Sequence, residues 1–200
     1  MVATTNPHKM REIRGLLAGT PVTLAGLADL PRVPDPEETG DTFQANARLK
    51  ALYYGRHLGP AIEEALLVAE DSGLSIDALE GEPGVRSARF LREDASYPER
   101  FAEIYRRLRS HGRPWTARFV GALAVVRRGE VVFETTGTID GEIGDRPRGS
   151  GGFGYDPIFY YPPYGVTLAE LPEEAKLRVA HRGHAFRALA EWLRTGGALR

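Results

Sequence analysis

The sequence predicts an α/β protein. One sign is the run of four apolar residues from Leu66 to Ala69, of the kind a strand covered on both faces can use. A second is apolar spacing of helical type, as in Met10, Ile13, Leu16 and Leu17. The third is a long β-prone run, Ala117 to Val126, which turns through Arg128-Gly129-Glu130 into Val131-Val132-Phe133 and reads as a hairpin. At 200 residues the chain can bury a sizeable core. No repeat or linker divides it, so residues 1–200 are expected to form a single domain, with room for two interleaved lobes.

Val2 to Thr5 reads as a first short strand. Asn6 then suits an N-cap and Pro7 the first helical position, so a helix is expected over His8 to Ala18, ended by Gly19. Such a strand-to-helix turn can offer amides and a positive helix end to an anion, with Lys9 beside it, or can simply be a capped helix with a solvated lysine. Val22 to Leu24 is expected as a second strand, and the Pro-rich run Pro31 to Pro36 as a loop delivering Glu37-Glu38-Thr39-Gly40. Asp41 is placed as the cap of the next helix, with Gln44 as its capping-box partner. Phe43, Ala47, Ala51 and Tyr54 mark the buried stripe of that helix, Asn46 and Lys50 lie four apart on an adjoining face, and Gly55, Gly59 and Pro60 end it.

Glu70 and Asp71 stand where the apolar run from Leu66 stops, and Ser72-Gly73 follows as a tight turn requires. Two readings are open: acids aimed into the crevice beyond a strand end, where α/β sheets bind ligands, or ordinary turn acids. Leu74 to Leu79 is expected as another strand and Gly81-Glu82-Pro83-Gly84 as a turn. Ser96 with Glu99 opens a helix through about Leu108, whose inner stripe is Phe101, Ile104, Tyr105 and Leu108. Thr138 to Asp140 is expected to continue the hairpin's sheet past Gly137. The stretch Gly149 to Pro157 interleaves aromatics with glycine, so its backbone can approach a ligand closely and Phe153 or Tyr155 could stack on a ring. Pro172-Glu173-Glu174 begins a short helix carrying Lys176, and Ala180-His181-Arg182-Gly183-His184 opens the last helix, with Phe186, Leu189, Ala190 and Leu193 inward.

Composition removes several classes of function. The chain has no cysteine, which excludes disulfides, thiol catalysis and cysteine-based metal sites. Its 26 basic and 27 acidic residues leave a formal charge of −1, so no global field invites a nucleic-acid backbone and any anionic ligand must be met by local groups. No basic flank precedes an apolar leader and no apolar run reaches membrane length, so a soluble cytoplasmic protein with neither nucleic-acid nor membrane partner is expected.

The remaining polar punctuation is two acidic pairs, a cation beside a helix start, a Gly-aromatic loop and a Lys-His-Arg group. Carboxylates suit a hard cation such as Mg²⁺, which takes oxygen ligands and substrate phosphates, and the cations suit the phosphates. That combination points to phosphoryl or nucleotidyl chemistry. Neither a G-x-x-x-x-G-K-[ST] loop nor a G-x-G-x-x-G after the first strand is present, which disfavours the common nucleotide folds.

Eight segments in order, Thr4-x-Asn6-x-x-Lys9, Glu37 to Gly40, Thr42-Phe43 with Asn46-Ala47, Asp71 to Leu74, Pro83-Gly84 with Ser87 to Arg89, Gly151 to Pro157, Lys176, and His181 to Gly183, resemble the Ham1-like family of noncanonical purine nucleoside triphosphate pyrophosphatases, also called dITP/XTP or inosine triphosphate pyrophosphatases. The resemblance runs almost from end to end. It implies an elongated, curved mixed sheet with flanking helices, two lobes around a central nucleotide-binding cleft, and a homodimer. It also implies hydrolysis of ITP, dITP and XTP to monophosphate and pyrophosphate with Mg²⁺. By position, Thr4, Thr5, Asn6, Pro7, His8 and Lys9 would hold phosphate. Asp71 would be proton acceptor and metal ligand, and Ser72 would contact substrate. Phe153, Gly154, Tyr155, Asp156, Lys176, His181 and Arg182 would line the base and phosphate pocket, with Lys9 and Lys176 on the departing pyrophosphate. Glu37, Glu38 and Glu70 are the further candidate metal ligands, Glu38 preferred over Glu37. The chain departs from the pattern at Glu70, where bacterial members often carry Asp, and at Ala180, where Ser is common. Rival readings are a pyrophosphatase for pyrimidine or modified nucleotides and a nucleotide sensor without turnover. The sensor has little use for four carboxylates beside an anion unless a metal is present.

Overall fold

Apolar stripes at helical spacing fold against β-prone runs, and the expected α/β class results. The computed structural model describes residues 1–30, 32–62 and 65–197. Among these, the helices are α1 (Pro7–Leu16), α2 (Phe43–Leu58), α3 (Tyr97–Leu108), α4 (Glu173–Val179) and α5 (His181–Arg194). The strands are β1 (Leu67–Ile76), β2 (Thr116–Arg127), β3 (Glu130–Ile143), β4 (Phe159–Tyr161) and β5 (Val166–Thr167), which lie in one sheet in that order. Strand β4 pairs antiparallel with both β3 and β5, placing Tyr160 opposite Glu142 and Thr167. Parallel pairing is found at isolated bridges from Val2 to Val68 and to Gly26.

The chain groups into two units, each woven from separate segments. The first comprises Met1–Asp71, Gly121–Gly137 and His181–Arg200, the second Ser72–Val120 and Thr138–Ala180. In the first, Met10, Ile13 and Leu17 pack with Phe186, Leu189 and Leu193 of α5, Leu123 and Val125 of β2, and Val2 and Val68. In the second, Ile104 and Leu108 of α3 pack with Leu74, Ile76, Ile139, Ile143, Ile158 and Phe159. Each fully buried side chain of this size contributes about 1.5–3 kcal/mol, several times a typical difference in helix propensity. Docking of the stripes therefore decides where the helices form.

Several elements differ from expectation. The first strand shrinks to the bridges of Val2, because the Thr4 hydroxyl accepts from the Asn6 amide at 3.1 Å and bends the chain at once into α1. Val22 to Leu24 forms no strand. Pro31, the first residue of the expected proline loop, lies outside the described residues. Helix α2 is capped by Thr42, whose hydroxyl accepts from Ala45 at 3.1 Å, rather than by Asp41. The Ser96–Glu99 capping box of α3 forms as expected.

The largest difference is at the acidic pair. Strand β1 does not stop at Ala69; it runs through Glu70, Asp71, Ser72 and Gly73 to Ile76. Gly73 serves a close approach and not a turn: a Cβ there would lie 2.3 Å from the Ser87 hydroxyl oxygen, which accepts from the Leu74 amide at 2.9 Å.

Candidate active site

Because β1 is continuous, successive side chains point to opposite faces, and Glu70 and Asp71 enter different surroundings. Glu70 meets Arg182, the second residue of α5, whose Nη2 lies 2.9 Å from Oε1 and whose Nε donates to Oε2 at 3.2 Å. Lys9 approaches the same carboxylate at 3.5 Å. The Arg182 Nη1 donates to Glu12 of α1 at 2.5 Å. A line of alternating charge results, Glu12–Arg182–Glu70–Lys9, buried at its first three members, with Arg182 only 2% exposed. Burial alone would raise the Glu70 pKa, but Arg182 and Lys9 hold it down to about 2. Burial lowers the pKa of Lys9, against the opposing pull of Glu70.

Asp71 faces α2. Its Oδ2 accepts from the Asn46 side-chain amide at 3.2 Å, and its Oδ1 pairs with the Lys50 ammonium at 3.2 Å. The Asn46 carbonyl oxygen accepts from the Gly40 amide at 2.8 Å, so a fully buried asparagine ties Asp71 to the loop that carries Glu37 and Glu38. Glu38 also pairs with Lys50, whereas Glu37 is exposed. Burial and the neighbouring Glu38 charge raise the Asp71 pKa, outweighing the lowering by Lys50 and Asn46.

Of the four carboxylates expected to serve a metal, then, Glu38 and Asp71 converge on one cation, and Glu70 is directed instead to Arg182 and Lys9. Among the described residues no group of three His, Asp or Glu side chains forms a closed metal site. Two carboxylates on one cation fit the way Mg²⁺ is commonly held, by one or two carboxylates with substrate phosphates completing the shell.

At the start of α1, Asn6 caps the helix, its side-chain oxygen accepting from the His8 and Lys9 amides at 2.9 and 3.2 Å. Those two amides are therefore engaged within the chain. Thr5, Pro7 and His8 are exposed, and Thr4 is half-buried. His181 opens α5 and is buried with Arg182.

The second unit holds the Gly-aromatic loop. Lys176 of α4 pairs with Asp156 at 2.7 Å, both almost wholly buried, and its ammonium lies 4.8 Å from the centre of the Phe153 ring. The same Asp156 oxygen accepts from the Phe153 amide at 2.8 Å. Gly152 is required here, at φ +67°, since a Cβ would fall 2.1 Å from Asp156 Oδ2. Phe153 stays half-buried, with Gly154 beside it. Tyr155 does not present a free ring: it is in the core, in edge contact with Tyr97 at 5.3 Å, and its hydroxyl donates to the Ser87 carbonyl at 2.8 Å. Tyr155 is thereby withdrawn from stacking on a ligand ring. Ser72 is half-buried on β1.

Sequence reasoning assigned no role to Glu12, Asn46 or Lys50. The signal was present in part: Asn46 and Lys50 stand one helical turn apart, the spacing that brings both to one carboxylate.

The model of the Ham1 family matches residues 1–192. A protein named dITP/XTP pyrophosphatase from Geobacillus kaustophilus is 44% identical over 194 residues, covering 96% of this chain and 92% of that protein. One of the same name from Geobacter sulfurreducens is 44% identical over 197 residues, covering 96% and 95%. The solved structure of a HAM1 protein from Coxiella burnetii superposes with a TM-score of 0.87 at 34% identity, over 97% of each chain.

Proposed function

Since the chain belongs to the Ham1 family, we propose that it is a nucleoside triphosphate pyrophosphatase that hydrolyses dITP, XTP and ITP to monophosphate and pyrophosphate. The observation that carries the catalytic reading is the pair Glu38 and Asp71 on a single cation, with Asp71 buried and its proton affinity raised.

Glu38 and Asp71 would hold Mg²⁺, which when bound supplies charge neutralisation at the triphosphate. Asp71 accepts a proton from the attacking water. Asn46 fixes the carboxylate by its bond to Oδ2 and keeps the Glu38 loop in register through Gly40. Lys9 places positive charge at the start of α1 for the phosphates. Glu70, already neutralised, positions Lys9 and Arg182 and is not assigned to the metal. The Phe153 ring, backed by the Lys176 ammonium and anchored through Asp156, stacks on the purine. Selection against adenine and guanine follows if the base edge meets donors for a 6-oxo group and no partner for an exocyclic amine, because unpaired buried groups are costly. Family resemblance supports a homodimer, testable by sedimentation. No described helix is long and apolar enough to cross a membrane.

Pyrophosphate release from dITP, XTP, ITP, ATP and GTP, with Mg²⁺ and then with EDTA, tests the proposal. Metal-dependent release from the first three, far above the last two, is expected. Release from pyrimidine triphosphates alone would reassign the substrate, and binding without turnover would leave a sensor.

A further inference from the structure

We propose that the Lys50 ammonium is a built-in counter-ion that competes with the divalent cation for Glu38 and Asp71. The inference rests on the reading of those two carboxylates as the metal ligands. Lys50 is the central group of this corner of the first unit. Its ammonium pairs with Glu38 Oε1, lies 3.2 Å from Asp71 Oδ1 and donates to the Glu70 carbonyl at 3.4 Å. Three donors thus meet three oxygens from two chain segments, the number of hydrogens an ammonium carries. Asn46 occupies Asp71 Oδ2, which leaves Oδ1 as the oxygen that lysine and cation must share.

Charge gives the competition its direction. Glu38 and Asp71 together carry −2, and Lys50 reduces this to −1 while directing hydrogens along the lone pairs that a hard cation needs. The pair is only about 15% and 8% exposed, so water screens it weakly and the lysine keeps it satisfied when no cation is bound. A cation arriving alone must displace the ammonium. Lys9 makes an informative contrast, since it carries the same charge nearby but sits on Glu70, 3.5 Å from Oε2, and not on the pair.

The test is binding of Mn²⁺ to the nucleotide-free full chain, read from the electron paramagnetic resonance of free Mn²⁺ or by calorimetry. Lys50→Met is expected to bind Mn²⁺ at least about tenfold more tightly than wild type, on the scale of losing one competing, partly buried ion pair, whereas Lys9→Met should change it by less than about threefold. Adding Asp71→Asn to Lys50→Met should abolish the gain. Equal or weaker Mn²⁺ binding by Lys50→Met, or an equal gain in Lys9→Met, overturns the competition while leaving the metal site intact. Absence of Mn²⁺ binding from wild type and Lys50→Met alike, with both folded by circular dichroism, overturns the competition, and its absence also with a non-hydrolysable nucleoside triphosphate present overturns the metal-ligand reading beneath it. If Lys50→Met does not fold, Lys50→Gln carries the same comparison.

Discussion

Replacing Glu12 by alanine should destabilise the chain although Glu12 is assigned no contact with substrate. In the native structure its carboxylate faces Arg182 at 2.5 Å, with Glu12 5% and Arg182 2% exposed. Removing one partner of a buried ion pair typically costs about 3–5 kcal/mol, because the other charge is left without compensation. Here Arg182 retains Glu70 through Nε and Nη2, which places the loss near the lower end, at about 3 kcal/mol. For a domain of this size each kcal/mol moves the melting temperature by about 2–4 °C, so a fall of about 6–12 °C is expected. Glu12→Gln keeps a hydrogen-bond acceptor and should lose less, and Glu12→Met with Arg182→Met should cost less than the two single losses added together. Calorimetric melting of the wild type, the four single variants and the double variant provides the numbers. A Glu12→Ala chain melting within about 2 °C of wild type, or strictly additive losses, would refute the coupling of Glu12 to Arg182.

Asp71→Asn should lower turnover by about 10²–10⁴-fold while nucleotide binding persists, measured by pyrophosphate release beside equilibrium titration; intact turnover removes Asp71 from the role of base. Phe153→Ala should raise the dissociation constant for dITP about 5- to 150-fold, the range of one lost stacking contact, and an unchanged constant would place the base elsewhere. Tyr155→Phe should instead lower thermal stability by about 1–3 kcal/mol, since it strands the Ser87 carbonyl, with little change in substrate affinity. Glu70 contributes to stability at neutral pH because its folded pKa, about 2, is below its ordinary value of 4.5. That contribution is complete above the unfolded value and is lost as pH falls toward the folded one, in all about 3 kcal/mol. Urea unfolding in EDTA from about pH 5 to about pH 3 should therefore show a steeper loss in wild type than in Glu70→Gln.

The elements that rest on periodicity were legible in the sequence. The stripe of Met10, Ile13 and Leu17 and that of Phe186, Leu189 and Leu193 both pack as spaced, and the Ser96–Glu99 box opens α3. What was not legible depends on partners distant in the chain. Ser72-Gly73 carries the composition of a turn, yet Ser87, fourteen residues beyond Gly73, turns that glycine into a strand residue. This in turn separates Glu70 from Asp71 by strand alternation, which no local rule could decide while the strand end was placed at Ala69. Tyr155 reads as a free aromatic beside glycines until Tyr97 and Ser87 claim it. Glu12 reads as one more polar helix residue, because Arg182, which explains its burial, is 170 positions away.

The line from Glu12 through Arg182 and Glu70 to Lys9 also bears on how the sequence can drift. Its four charges sum to zero, and each inner member neutralises neighbours on both sides. Loss of charge at an inner position, 70 or 182, strips compensation from the partners on both sides at once, so selection would meet that first step as a loss and accept it only with a matching second. An uncharged residue at 12 is accordingly expected to be tolerated best beside an uncharged residue at 182, which the melting of Glu12→Met with Arg182→Met reads directly. Four positions scattered from the first helix to the last are thus bound energetically into one unit.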